Sequence, residues 1–336
     1  MNRPSVIDIA RRCKVSPSTV CRALNRGHEI NAKTRARILQ ACDRLGYCKD
    51  NAASSLRLKQ SNTLACLMPD LENELFVEKL HFLKASCRAA GFDWQLASFQ
   101  NQEEAENQLR RLVSSRPAGI ILSCALSDSM RHLIARNQIP VAGCDLDDPL
   151  CDCVALDRIA GCRQAINHLF QQQRRRILLL GSSLKNERGI AYQQAHDEHQ
   201  IPIDPALIHA IPFARNLYEY GHEQTRARLK QSSFDAIFAV NDACAIGAMR
   251  ALHEAGLSVP GQVAVVGFDN IMAAPFHRPS LTTVAQPKEE LAQQSIAFLM
   301  ARIQKPSIPR QFIRLPTQLI VRESSQPSAI ASSLHP

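Results

Sequence analysis

The chain has 336 residues, 45% of them hydrophobic and 21% charged, a composition that excludes a disordered chain or a fibre and, at this length, points to two or three domains. No run of about 18 apolar residues is present, which excludes a transmembrane helix. Residues 1–61 hold 13 Lys and Arg against 4 Asp and Glu, and residues 62–336 hold 27 against 27, so the net charge of +9 lies wholly in the first 61 residues. That asymmetry points to a polyanion partner for the head alone, the alternative being a merely solvated basic surface.

In chain order, the first element is a short helix opened by Ser5. With Asp8 three residues later it forms a capping box, and Val6, Ile9, Ala10 and Cys13 fall on one apolar face. The second helix starts at Ser16 as cap with Pro17 in the first helical position, and Val15 and Val20 are spaced as a hydrophobic staple. Val20, Ala23 and Leu24 turn inward. Ser18, Cys21, Arg22 and Asn25 share the opposite face, with Pro17 and Thr19 near the helix start. Such a short, polar, basic face suits a helix entering the major groove; an ordinary solvated face is the alternative. A third helix over 32–45 is capped by Asn31 and ended by Gly46, with Ile38, Leu39, Cys42 and Leu45 inward. Three short helices with a tight turn read as an all-α helix-turn-helix headpiece.

Past residue 61, short apolar runs alternate with helical stretches. Strands are predicted at 63–68, 94–98, 119–123, 141–144, 177–180, 236–240 and 263–268. Helices are predicted at 76–90, 103–114, 158–171, 187–199, 242–255 and 289–303. The alternation predicts parallel sheets covered by helices, and its length predicts an α/β core of two similar lobes. Ligands of such sheets bind at the carboxyl ends of the strands.

Twelve cysteines are read as reduced thiols, because residues 1–12 lack the apolar stretch of a secretory signal. The closest pair is Cys151-Asp152-Cys153. One intervening residue is not the spacing of a zinc site and no second pair follows, so no metal is expected. Gly181-Ser182-Ser183 could cradle a phosphate. No nucleophile elbow, zinc-protease helix, P-loop or dinucleotide fingerprint is present, and neither an enzyme nor a cofactor is expected.

The runs Ile7-Asp8-Ile9-Ala10, Val15-Ser16-Pro17-Ser18-Thr19-Val20-Cys21-Arg22-Ala23-Leu24-Asn25 and Leu45-Gly46-Tyr47 resemble the headpiece of the lactose-repressor/galactose-repressor family of bacterial transcription regulators. In the core, Asn241-Asp242-Ala243, Val265-Val266-Gly267-Phe268-Asp269-Asn270 and Pro279-Ser280-Leu281-Thr282-Thr283 resemble the family's effector-binding domain, itself similar to periplasmic sugar-binding proteins. The resemblance covers about residues 4–324. It implies a headpiece over 1–47, a hinge over 48–61, a two-lobed effector-binding and dimerisation core over 62–324, and a flexible tail over 325–336. It implies DNA contacts from Ser5, Ser16, Pro17, Ser18, Thr19, Cys21, Arg22 and Asn25, with Ala53 and the wedge residue Leu56 from the hinge. For the effector it implies Asn73, Leu75, Phe76, Ser123, Asp145, Arg188, Asn241 and Asp269. Lys14 stands where the family has Gly in the turn, Cys21 where it has Ser, and Lys49-Asp50 where it has Pro-Asn. The implied protein is a cytoplasmic, nucleoid-associated homodimeric repressor of a carbohydrate operon. It binds a pseudo-palindromic operator, has no membrane partner, and answers to a sugar or sugar phosphate. A nucleoside or purine effector and an unresponsive core remain the alternatives.

Overall fold

The computed structural model describes residues 4–25, 30–47, 61–69, 71–210 and 216–326. They divide into two compact units, Met1–Asn62 and Thr63–Pro336. Residues 48–60, with Lys49, Asp50, Ala53 and Leu56, lie outside the described residues, as do residues 327–336 of the tail and the side chain of Asn25.

Among the described residues the first unit contains three helices, α1 (Val6–Cys13), α2 (Pro17–Asn25) and α3 (Ala32–Leu45). The capping box of α1 is complete: the Ser5 N–H donates to the Asp8 carboxylate at 2.9 Å, and the Asp8 N–H donates to Ser5 Oγ at 3.3 Å. At its other end Lys14 is left-handed, with φ 48° and ψ 48°, and its N–H closes onto the carbonyls of Ala10 and Arg11. Ser16 caps α2 by accepting the Thr19 N–H at 3.2 Å. Ile9, Ala10, Cys13, Val20, Ala23, Ile38, Ala41 and Cys42 form the shared core, with Val6, Val15, Leu24 and Leu45 packed against it. Leu39, expected inward, is instead 38% exposed. The buried stripe of α3 runs 38, 41, 42, 45, and Leu39 lies a full helical step to its side.

The second unit is two doubly wound lobes. The first begins with β1 (Thr63–Pro69), α4 (Glu74–Ala89), β2 (Asp93–Phe99), α5 (Gln102–Ser114), β3 (Gly119–Leu122), α6 (Asp128–Asn137), β4 (Val141–Cys144) and β5 (Asp152–Asp157). The second holds α7 (Arg158–Gln171), β6 (Ile177–Leu180), α8 (Glu187–Glu198), β7 (Ile208–His209), α9 (Leu217–Arg228), β8 (Ala236–Ala239), α10 (Asp242–Glu254), β9 (Ala264–Asp269) and β10 (Thr282–Ala285). The chain then returns through α11 (Lys288–Gln304) and β11 (Phe312–Pro316) to the first lobe and ends with β12 (Gln318–Ile320) in the second. The sheet orders are β11-β5-β4-β3-β1-β2 and β12-β10-β9-β8-β6-β7. The chain therefore passes between the lobes three times, after β5, β10 and β11. The two parallel-sheet lobes match the α/β core expected. One departure is β12, which pairs antiparallel with β10 at the sheet edge.

The structure also contains strands and helices beyond those expected. Strand β5 is an apolar run, 153–156, closed at each end by a carboxylate, Asp152 and Asp157. Asp152 is 1% exposed, and the Arg302 guanidinium grips it with two bonds of 2.8 and 2.9 Å while the Gln311 N–H donates a third at 2.7 Å. A carboxylate so satisfied can stand in a buried strand.

Candidate functional site

On α2, Ser16, Pro17, Ser18 and Arg22 are exposed and Thr19 and Cys21 half-buried. Ser16 Oγ lies 2.7 Å from Ser18 Oγ and 2.8 Å from Thr19 Oγ1, so the helix start presents linked hydroxyls beside a guanidinium one turn on. Those groups can donate to phosphate oxygens or base edges. Ser5 is half-buried, and its hydroxyl is engaged by Asp8 at 2.6 Å.

In the core, the eight candidate effector residues lie just past the carboxyl ends of strands. Asn73 follows β1 and Ser123 follows β3. Asp145 follows β4, with φ 62°. Asn241 follows β8, Asp269 ends β9 with φ 115°, and Arg188 lies in the first turn of α8 after β6. Left-handed backbone at two non-glycine residues beside a cleft is strain that the surrounding structure sustains.

These side chains are not equally free. Asn73 caps α4 by accepting the Leu75 N–H at 3.0 Å, and Asn241 caps α10 by accepting the Cys244 N–H at 2.9 Å. Ser123 Oγ donates to the Cys144 carbonyl at 2.8 Å. Leu75 is only 7% exposed and, with Phe76, sits in the first turn of α4 rather than in a loop; Phe76 packs on the core of the first lobe. In the Gly181-Ser182-Ser183 turn the amides of Gly181 and Ser182 are already engaged, donating to the His209 carbonyl at 2.7 and 3.2 Å.

Bonds between the lobes cross the cleft. Tyr218 Oη donates to the Glu74 carboxylate at 2.7 Å. Glu78 accepts the Met272 N–H from the other lobe at 2.8 Å and, from α11 on its own lobe, the Lys288 ammonium at 2.5 Å. Asp145 accepts Lys79 from its own lobe at 2.6 Å and Arg158 from the other at 2.5 Å. Asp269 accepts the Gln286 amide at 2.6 Å. Arg188 stacks over the Phe268 ring, 4.7 Å from its centre. Its buried Nε, and Oε1 of Gln286, have no hydrogen-bond partner among the described residues. A cavity of about 340 Å³ opens beside this network, lined by Asn73, Glu74, Asn216, Tyr218 and Asn241 among others. It brings Asn73 and Asn241 together across the cleft; Asp145, Arg188, Ser123 and Asp269 do not line it.

The charges are perturbed for definite reasons. Burial would raise the Asp145 carboxyl, but Lys79 and Arg158 outweigh it and hold it at about 2. Burial pushes Asp269 up to about 6 against the pull of Arg188, Lys79 and Lys288. Burial and the Asp269 charge push Asp242 up to about 8, although Thr283 and the Ile271 N–H donate to it. The cleft therefore offers acceptors and fixed cations, and beneath it lies a fully buried carboxyl, Asp242, whose surroundings favour the protonated form.

Residues 5–50 match the helix-turn-helix model described as bacterial regulatory proteins, lacI family, and residues 166–325 match a periplasmic binding protein-like domain. The HTH-type transcriptional regulator DegA of Bacillus subtilis is 30% identical, aligned over 97% of this chain and 99% of its own. The chain belongs to the lacI family of bacterial regulatory proteins. It is a DNA-binding transcriptional regulator with a ligand-binding core. Among solved structures, a LacI family regulator from Enterococcus faecium with bound ribose is 27% identical, with TM-score 0.71 over 79% of this chain and 99% of its own. The lac repressor dimer bound to operator has the same fold, with TM-score 0.84 at 24% identity over 96% of this chain and 99% of its own.

In this lacI-family regulator the cleft also depends on Lys79, Arg158, Tyr218, Asp242, Gln286 and Lys288, none of which the sequence reading selected. Lys79 had a legible signal. It continues the buried stripe Leu75, Lys79, Leu83 of α4, where a lysine requires a buried partner. Arg158 and Gln286 had none, because each takes its meaning from a residue of another element.

Proposed function

We propose that this regulator is a homodimeric repressor of carbohydrate genes in the bacterial cytosol. It binds a pseudo-palindromic operator through α2, and a sugar-like effector between the lobes sets its operator affinity. The observation that carries the effector reading is the pair of unpartnered buried polar atoms, Arg188 Nε and Gln286 Oε1, beside the buried Asp269. A polyol supplies both the acceptor and the donor that these atoms lack, while Asp269 and Asn241 can accept or donate further hydroxyl bonds. The ribose-bound relative supports the same ligand class. Dimerisation follows from the size of one headpiece, whose single short helix reads too few base pairs for a specific site.

The test is a thermal-shift screen of the full chain against sugars, sugar phosphates and nucleosides. A cognate ligand at 100 times its dissociation constant stabilises the native state by about 2.7 kcal/mol. Arg188→Ala should abolish the shift and leave operator binding without effector intact. A sugar that shifts the parent and Arg188→Ala equally would overturn this placement of the effector, and operator binding that no ligand changes would favour the unresponsive core.

A further inference from the structure

The Cys151-Asp152-Cys153 pair takes no part in the fold of the headpiece or in the cleft, yet its geometry is specific. Cys151 precedes β5 and Cys153 is its second residue, so the two side chains lie on one face of the extended chain. Their sulfurs are 3.4 Å apart. Cys153 Sγ also points at the Asp148 carbonyl at 3.6 Å and sits above Gly143, whose missing Cβ leaves it room. Arg310 fixes the surrounding turn, donating to the carbonyls of Cys151 and Asp148, both at 2.9 Å. Cys151 is 4% and Cys153 0% exposed, and the adjoining residues Asp147, Pro149 and Leu150 are exposed, so a peroxide reaches the sulfurs only through local opening of this short turn.

We propose that Cys151 and Cys153 are a redox-active dithiol that hydroperoxides oxidise to an intrachain disulfide, and that this site acts on the Asp145 end of the cleft. Cys153 is the attacking sulfur. The Cys151 S–H hydrogen bond and the nearby Arg310 guanidinium favour its thiolate, and Cys151 correspondingly keeps its proton. The Cys153 thiol first releases its proton to solvent; the thiolate attacks one oxygen of the peroxide, the O–O bond breaks, and the departing hydroxide takes up that released proton as water. Cys153 is now a sulfenic acid. Cys151 sulfur then attacks Cys153 sulfur, the S–O bond breaks, and the hydroxide leaves with the Cys151 proton as water. Two thiols lose two electrons and hydrogen peroxide becomes two waters. The sulfurs must approach from 3.4 Å to about 2.05 Å, which draws the start of β5 toward the turn. That movement reaches the cleft directly, because the carbonyl of Val154 accepts the N–H groups of Asp145, at 2.8 Å, and Leu146, at 3.3 Å. The inference does not depend on which effector the cleft binds.

The full-length reduced protein is treated with hydrogen peroxide, alkylated in denaturant and mapped by peptide mass. Two of the twelve thiols should disappear together, on one peptide lighter by two hydrogens, and dithiothreitol should restore them. In Cys151→Ala, a cyclic 1,3-diketone should trap the sulfenic acid on Cys153. Hydrogen exchange of the oxidised parent should show lost protection at Asp145 and Leu146. The proposal is overturned if Cys151 and Cys153 stay alkylatable at peroxide doses that oxidise other cysteines, or if the sulfenic acid maps to Cys151 in the parent. It is also overturned, as to the cleft, if the disulfide forms and exchange at Asp145 and Leu146 is unchanged.

Discussion

Single residues carry much of the cost of building the cleft. Lys79 is 1% exposed, and its ammonium is held by Asp145 alone among the partners described. Removing Asp145 leaves the buried Lys79 ammonium unpaired, so Asp145→Leu should destabilise the core by about 3–5 kcal/mol in urea unfolding, and Asp145→Leu with Lys79→Met should recover part of that loss; Lys79→Met alone should cost less, because Asp145 keeps Arg158. Asp242 gives a pH signature. Its folded pKa is raised from 3.8 to about 8, so the folded state holds the proton more tightly than the unfolded chain. Its contribution is fully present below about pH 4 and is lost as the pH rises through about 8. Asp242→Asn mimics the protonated form, with its oxygen for the Ile271 N–H and its NH2 for Thr283 Oγ1. The variant should show a flatter fall of the urea midpoint between pH 5 and 8 than the parent; an unchanged slope would assign the pH dependence elsewhere. Lys14 adds a local case. Its left-handed backbone costs a lysine about 1 kcal/mol, so Lys14→Gly should slow hydrogen exchange at Ile9 and Val20 severalfold.

At the scale of elements, α9 and α10 meet so closely that glycine is required at the contact. A Cβ on Gly247 would lie 1.9 Å from the Tyr218 carbonyl oxygen, and one on Gly221 would lie 2.1 Å from that of Cys244. The obstacle is backbone in both cases and cannot turn aside. Gly247→Ala must therefore push α9 outward, with Tyr218 and its bond to Glu74. The variant should lose about 1–3 kcal/mol of stability and bind effector more weakly even where it remains folded. Calorimetry with the screened ligand checks this; parental affinity at reduced stability would separate the helix contact from the cleft. Helices were the more legible elements. Caps at Ser5, Ser16 and Asn31 mark their starts, and α7, α8 and α10 begin where the pattern changes period. Strands β7, β11 and β12 were not legible. They are short, and β11 and β12 are edge strands with exposed positions, so neither shows an unbroken apolar run.

At the scale of the molecule, the +9 charge confined to residues 1–61 sets how DNA binding answers to salt. If a dimer neutralises about 6–10 phosphates, operator affinity should fall by about 10³–10⁵ between 50 and 200 mM salt. A flat titration would rule out a headpiece bound mainly through phosphates. Arg22 is exposed on α2, and Arg22→Ala should cost about 1–3 kcal/mol per site on operator and less on unrelated DNA if it reads a base. Equal losses on both would make it a phosphate contact.

What the amino-acid sequence determined by itself was whatever depends on neighbours along the chain. Periodicity, caps and turn residues placed the headpiece helices, and the alternation of short apolar runs with helices specified two parallel-sheet lobes. The same local logic put the polar candidates at strand ends. Only the tertiary structure decided which of them are engaged. Asn73 and Asn241 cap helices, Asp145 is claimed by Lys79 and Arg158, and Arg188 is stacked on Phe268 with its Nε unpartnered. The physical reason is that a buried charge or hydrogen-bonding group is satisfied by whatever the fold brings within about 3 Å, and in this cleft those partners are far away in the chain, Tyr218, Met272 and Arg158 from the other lobe and Lys288 from the returning helix α11.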